Sequence, residues 1–350
     1  MRFETVKKIR LLYIGSNNGT SGQRIAAFRR LGIEVTVRDP VSFSPISEKL
    51  LYKCLFEFGG ILIVNFIALK MTRSLKTTEA DIVWINAGDL VSLNFVRWLK
   101  SKYGLVVNYN NDLPFGNRDK RRWYHYKRSA RAYDCLMVRS NTDPSLPFKY
   151  GTSYVVFMLM LADEVEHVCG VQFLPTFEQK EDIVFIGTWF KERGSFIETL
   201  INYGLNIAIY GDRWEKCENW ERLKKYHKGR ALSGKKYIET LASYKICIGL
   251  VSEENNDLHT RRSIEIPLAK SVLCTKRTYE HELMYSENEE AIFWESPEEC
   301  ARKCAELLSE PLKIKVMSEA GHARAIRNNL FNEPFLSGVL SHLINRGNYQ

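Results

Sequence analysis

The sequence predicts an α/β protein made of two units, each a doubly wound parallel sheet with helices on both faces. Three observations carry this expectation. Apolar runs of strand length alternate with helical patterns along the chain, which is how βα repeats read. The length of 350 residues fits two domains of ordinary size. The alternation is interrupted once, by an irregular acidic stretch at 161–181. With 45% hydrophobic and 26% charged residues, the composition sustains a large core and excludes a disordered chain.

In the first unit, strands are expected at 8–15, 33–37, 81–85, 105–109, 135–138 and 154–158. Helices are expected at 23–31, at 89–102 and, as a basic helix, at 118–132, while 41–79 reads as helical and irregular. The second unit begins abruptly, with strands at 182–186, 206–210, 245–251, 271–275 and 290–294, and a weak one near 229–232. The domain boundaries follow: 1–165, a linker at 166–181, 182–330, and a C-terminal helix in 331–350 that could pack on either unit. Two such units are expected to face each other across a cleft.

Charge and cysteine usage narrow the classes. Residues 1–180 carry 26 Lys+Arg against 16 Asp+Glu, and the remainder 24 against 25. A basic first half suits an anionic partner, whether a membrane surface, a phosphorylated acceptor or nucleic acid, and equally suits solubility. The eight cysteines form no CxxC pair. Cys300 and Cys304, four apart, read as packing, so no metal site is assigned and a reducing compartment is expected. The opening residues lack a signal-peptide pattern. The apolar segment 58–69 is too short to span a bilayer. It reads as a buried helix, or as one lying on a membrane surface.

Chemistry concentrates at loops after strands, where open parallel sheets bind ligands. The stretch 257–267 places Asp257, His259, Thr260, Arg261, Arg262 and Glu265 between a strand and a helix. Thr260 is a plausible N-cap, and free N–H groups at the helix start with Arg262 would suit an anion such as a diphosphate. Glu265 could accept from a ribose diol. A solvated, capped helix is the alternative. Gly187, Lys191 and Arg193 follow the first strand of the second unit and would suit a phosphate. Gly15, Ser16, Asn17 and Gly19 form a small-residue loop after the first strand, either a permissive turn or an acceptor-side loop, without a dinucleotide or P-loop pattern. Asp112, ahead of Pro114, is a candidate base or hydroxyl ligand, or a turn former. The remaining histidines, His167 and His281 among them, show no partners at informative spacing.

The segments 244–250, 256–267, 273–281 and 291–299 resemble the C-terminal domain of the group 1 glycosyltransferases, closest to the spore-maturation-protein-like branch. The resemblance extends to 184–189, to 209–211 and, in the first half, to 13–17, 81–85 and 111–116. It implies a GT-B fold, with an N-terminal Rossmann-like acceptor domain and a C-terminal nucleotide-sugar donor domain. On this resemblance Glu265 holds the ribose, Asp257 lies near the sugar or diphosphate, and Gly211, His259, Thr260 and Arg262 join the donor site. The family's first acidic residue is more often Glu than the Asp257 found here.

The expected activity is hexosyl transfer from a nucleoside-diphosphate sugar, UDP- or GDP-linked, to a glycan, lipid-linked or protein acceptor. Asp112 and Asp257 would be catalytic. No DxD pair occurs, so a metal-independent reaction without a cofactor is expected. The expected location is cytoplasmic or peripheral at the inner face of the membrane. The rival readings are a nucleotide- or sugar-binding module without turnover, and nucleic-acid binding through 118–131.

Overall fold

The computed structural model describes residues 8–116, 118–168, 178, 180–252 and 256–347. Two compact units emerge. One comprises the chain up to Leu159 together with the residues from Phe335 onward; the other is Met160–Pro334.

The first unit contains strands β1 (Arg10–Ile14), β2 (Glu34–Arg38), β3 (Ile82–Asn86), β4 (Leu105–Tyr109), β5 (Cys135–Arg139) and β6 (Val155–Met158). They form one parallel sheet in the order β2-β1-β3-β4-β5-β6. One face buries Leu12, Ile14, Val83, Ile85, Leu136 and Val138 under helices. The other carries aromatic contacts running Tyr13–Phe28–Trp84–Tyr109. The second unit contains β7 (Glu181–Ile186), β8 (Ile207–Tyr210), β9 (His227–Gly229), β10 (Tyr244–Gly249), β11 (Val272–Lys276) and β12 (Ile292–Trp294). Its sheet, also parallel, has the order β12-β11-β10-β7-β8-β9. Alternate residues of β7 enter separate cores, Ile183 and Phe185 on one face and Val184 and Ile186 on the other. That is the pattern of a sheet covered on both sides.

Each sheet has one point where consecutive connections leave in opposite directions: between β1 and β3 in the first unit, and between β7 and β10 in the second. The loops at the carboxyl ends of those strands diverge and leave a crevice.

The expected basic helix at 118–132 is not continuous. Residues 118–123 form turns, followed by a helix at Tyr124–Ser129 and a 3-10 turn at Ala130–Ala132. Local bonds win over helix here. The Arg121 N–H donates to Phe56 O (3.1 Å), Trp123 Nε1 donates to the Asp119 carboxylate (2.8 Å), and Lys120 takes a positive φ of 49°. The weak strand near 229–232 is the edge strand β9, two residues earlier. The expected linker at 166–181 begins inside a short helix, Glu164–His167, which the Asp163 carboxylate caps; residues 169–177 and 179 lie outside the described residues.

The C-terminal helix, Asn332–Gly347, closes the first unit. Phe335 meets Tyr109 edge-on at 6.2 Å, and His342 stacks on Tyr154 at 5.6 Å. The flanking segments of the second unit pair beside each other: the Ala162 N–H donates to Leu330 O and the Asn332 N–H to Ala162 O. Leu336 is fully buried. Leu336→Ala should therefore lower unfolding stability by about 3 kcal/mol, read as a lower denaturant midpoint.

Candidate functional site

The site of the second unit is built at the β7/β10 crevice. The carboxyl end of β7 is packed so closely that only glycine fits. A Cβ on Gly211, whose φ is 148°, would lie 2.0 Å from Gly187 O, which also accepts from Trp214 Nε1 (2.9 Å). Two arginines turn onto the main chain on either side of Gly187. Arg262 Nε donates to Ile186 O (2.9 Å), and Arg193 Nη1 donates to Thr188 O (2.9 Å). Burial and the neighbouring Arg262 push the Arg193 guanidinium down to about 10, while Glu192 and Asp257 pull it the other way. Among the described residues no ion pair joins Arg193 or Arg262 to a carboxylate. Two half-buried cations thus face one crevice without a direct carboxylate ion pair among the described residues, an arrangement that stabilises an anion. Lys191 is exposed at the start of the neighbouring helix, Lys191–Asn202. Beside Arg193 opens a cavity of about 260 Å³, lined by Phe196, Leu250 and Trp294 and by the charged Glu192, Lys276 and Glu295.

Asp257 follows β10, with its N–H on Ser252 O (3.0 Å). The helix after it is short, Arg262–Leu268, and its start differs from expectation. Thr260 is not the N-cap: Arg261 holds that position and makes no side-chain cap bond. Instead the Thr260 N–H donates to Ser263 Oγ (3.2 Å). The N–H groups of Ser263, Ile264 and Glu265 already bond to Thr260 O and Arg261 O, so those three are not available to an anion. The charge for one comes from the arginine side chains.

Glu265 is 6% exposed and ionised in a cage of three partners. Arg261 Nη2 lies 3.0 Å and His167 Nε2 3.2 Å from Oε1, and the Tyr237 hydroxyl donates to Oε2 at 2.8 Å. Burial alone would raise this carboxyl; Arg261, His167 and Tyr237 outweigh it and hold the group at about 2. A carboxylate offers about four acceptor positions. With three taken, one on Oε2 remains, enough for one ribose hydroxyl rather than two.

His259 is fully buried. Its Nε2 accepts from the Met160 N–H (2.7 Å) and its Nδ1–H faces the Glu280 carboxylate. With both ring nitrogens engaged, it shapes the loop rather than offering a nitrogen to a ligand. His281, pushed down to about 4 by burial, meets Ser263 Oγ at 2.8 Å and Lys276 O at 2.8 Å. His167, His281, Tyr237, Ser263 and Glu280 thus organise this region, although no spacing pattern in the sequence marks them.

The first unit has its own crevice at β1/β3. Gly15 and Ser16 line a cleft of about 110 Å³ with Tyr52, Asn86, Asp89 and Arg122. Asn17 and Gly19 are exposed and lie off its lining, and Gly19 opens the Gly19–Arg30 helix at a φ of 55°. Arg122 Nε donates to the Asp89 carboxylate (2.8 Å), and its Nη1 lies 3.4 Å from Asp112. Burial raises the Asp112 carboxyl, Arg122 opposes, and Asp89 and Asp119 raise it further. A carboxyl raised in this way is a better proton acceptor than an ordinary aspartate.

Among the described residues, Cys274, Cys300 and Cys304 are a group of potential metal-ligating side chains. Cys274 Sγ lies 3.5 and 3.7 Å from the other two, with Cys274 on β11 and Cys300 and Cys304 on the helix Pro297–Leu308, all three in the core. Sequence spacing linked only Cys300 and Cys304.

Residues 193–333 match the family described as Glycosyl transferase-like. Among solved structures, sucrose-phosphate synthase from Thermosynechococcus elongatus aligns with a TM-score of 0.67 at 11% identity, covering 97% of this chain and 99% of that one. OtsA aligns with a TM-score of 0.68 at 10% identity, covering 96% and 99%. Anabaena HepE, in complex with UDP and glucose, aligns with a TM-score of 0.62 at 12% identity, covering 95% and 99%. No curated protein sequence matches. The two parallel-sheet units are a GT-B fold. The family match spans most of the second unit.

The Glu265 cage sets a pH dependence. Its carboxyl is held below the ordinary 4.5, so its ionisation stabilises the fold fully above about pH 5, and this contribution fades as pH falls toward 2. Glu265→Gln should lose roughly 3 kcal/mol at pH 7. The gap from wild type should close near pH 2, as measured by urea unfolding across pH.

Proposed function

We propose that the protein transfers a hexose from a nucleoside-diphosphate sugar, UDP- or GDP-linked, without a metal ion. The observation that carries this reading is the pair of arginines, Arg193 and Arg262, bracketing Gly187 at the β7/β10 crevice without a carboxylate ion pair among the described residues. HepE, of the same fold, is described with UDP-glucose.

In the proposed reaction the bond between the sugar's anomeric carbon and the diphosphate oxygen breaks, and a bond from that carbon to the acceptor oxygen forms. The acceptor's hydroxyl proton goes to a base, and the departing diphosphate keeps the electron pair. Arg193 and Arg262 stabilise the developing negative charge, with Lys191 adding long-range attraction. The one open acceptor position on Glu265 takes a ribose hydroxyl. Gly187 and Gly211 keep the loop floor flat, and His259 and Thr260 fix the loop that carries Asp257 to the sugar side. Asp112 in the first unit is the proposed acceptor-hydroxyl ligand or base, with Gly15, Ser16, Asn17 and Gly19 on the acceptor side. The acceptor is a glycan, a lipid-linked glycan or a protein, and the nearest branch is the spore-maturation-protein-like one.

Thermal-shift measurement with UDP and GDP should show a raised midpoint for one of them, since a ligand of the folded form stabilises it. Arg193→Met should abolish that shift and lower kcat/KM for donor turnover about 100-fold. Nucleotide binding without nucleoside-diphosphate release from any donor in a panel, with acceptor present, would instead establish a binding module.

A further inference from the structure

The helix Ile61–Ser74 is apolar from Ile61 to Leu69 except at the exposed Asn65, yet only one side of it is buried. Val64, Ile67 and Met71 face the core. On the opposite side Ile61 (46% exposed), Leu62 (84%) and Leu69 (49%) meet solvent, and Phe58 (67%), at the end of the preceding helix, joins them. A helix with this composition is ordinarily buried all round. The two helices, Glu48–Phe58 and Ile61–Ser74, meet at Gly59 and Gly60, both left-handed (φ 72° and 60°), which makes the corner tight and projects Phe58 and Leu62 from it.

The rim of this corner is cationic. Lys70, two turns after Leu62 on the same row, reaches over the Phe66 ring at 5.5 Å. Arg73 follows Leu69 by one turn and is exposed. On the other side the 121–128 segment is seated against the corner: the Arg121 N–H bonds to Phe56 O, and Tyr124 packs on Gly59. Tyr124 is 37% exposed, with Arg128 over its ring at 5.4 Å. The nearby carboxylate Glu57 is neutralised by Lys120. No helix among the described residues is long and apolar enough to cross a membrane.

We propose that this corner is a membrane-docking surface for anionic lipid, with Phe58, Ile61, Leu62, Phe66 and Leu69 entering the acyl boundary and Lys70, Arg73, Arg121 and Arg128 meeting lipid phosphates. An exposed apolar stripe supplies the insertion, and the cationic rim selects the lipid. Tyr124 stands where an aromatic ring prefers the headgroup level. This assignment explains the basic 118–131 segment and the short apolar 58–69 segment together. It does not depend on the donor reading.

Co-sedimentation of the full chain with phosphatidylcholine vesicles, with and without 30% (roughly) phosphatidylglycerol, tests it. Binding should require the anionic lipid. Leu62→Ser/Phe66→Ser should weaken it about ten-fold or more, and each charge reversal of Lys70, Arg73 or Arg128 to Glu by about five-fold or more. These side chains lie at the surface, so the variants should keep the wild-type unfolding midpoint and any nucleotide-induced rise in it. Absence of binding to the anionic vesicles would overturn the proposal, as would binding unchanged in Leu62→Ser/Phe66→Ser. A wild-type dimer in sedimentation velocity that Leu62→Ser/Phe66→Ser renders monomeric would also overturn it, assigning the corner to a second copy of this chain.

Discussion

The site of the second unit depends on one buried carboxylate. A lone Glu265 anion at that depth would be costly by several kcal/mol, so its cage is a condition of folding as well as of shape. The three partners come from separate places: Arg261 from the same turn, Tyr237 from the Gly234–Ala242 helix, and His167 from the Glu164–His167 helix. Satisfying one carboxylate therefore pins two other segments to the loop that follows β10. His259 adds a third tie, to Met160. The loop beside the crevice is held from beneath by buried polar bonds, which leaves Arg193 and Arg262 free to present charge above it.

Topology does the coarser positioning. In both sheets the chain reverses its direction of winding once, and in both the residues lining the resulting crevice follow the two strands at that point. Gly15 and Ser16 follow β1, and Ala87 and Asp89 follow β3; Gly187 and Arg193 follow β7, and Asp257 follows β10. The two units repeat one solution with different side chains. The first crevice is rich in carboxylates gathered around Arg122, and the second is cationic.

Much of the fold was legible because its strands are buried on both faces. Runs such as 183–186 and 135–138 are continuous in apolar residues, and no other local structure accounts for them so simply. The crowd at 257–265 was legible because polar residues at a strand's carboxyl end are hard to explain as packing. What escaped the sequence was long-range. The Glu265–His167 pair spans nearly one hundred residues, and no spacing rule links them. The helix expected over 118–132 failed because Arg121 bonds to Phe56, a partner invisible to local propensity. Thr260 was a reasonable cap by type, but the hydroxyl that bonds back in this turn belongs to Ser263.

The return of the Asn332–Gly347 helix to the first unit has a consequence for how the protein is made. Viewed by chain connectivity, the second unit is an insertion within the first. A ribosome that has finished β6 must still synthesise Met160–Pro334, roughly 10–35 s of elongation, before Phe335 and Leu336 can cover Tyr109 and its neighbours. During that interval the first unit waits with one aromatic flank open, so its core is closed only after the whole second unit has been synthesised.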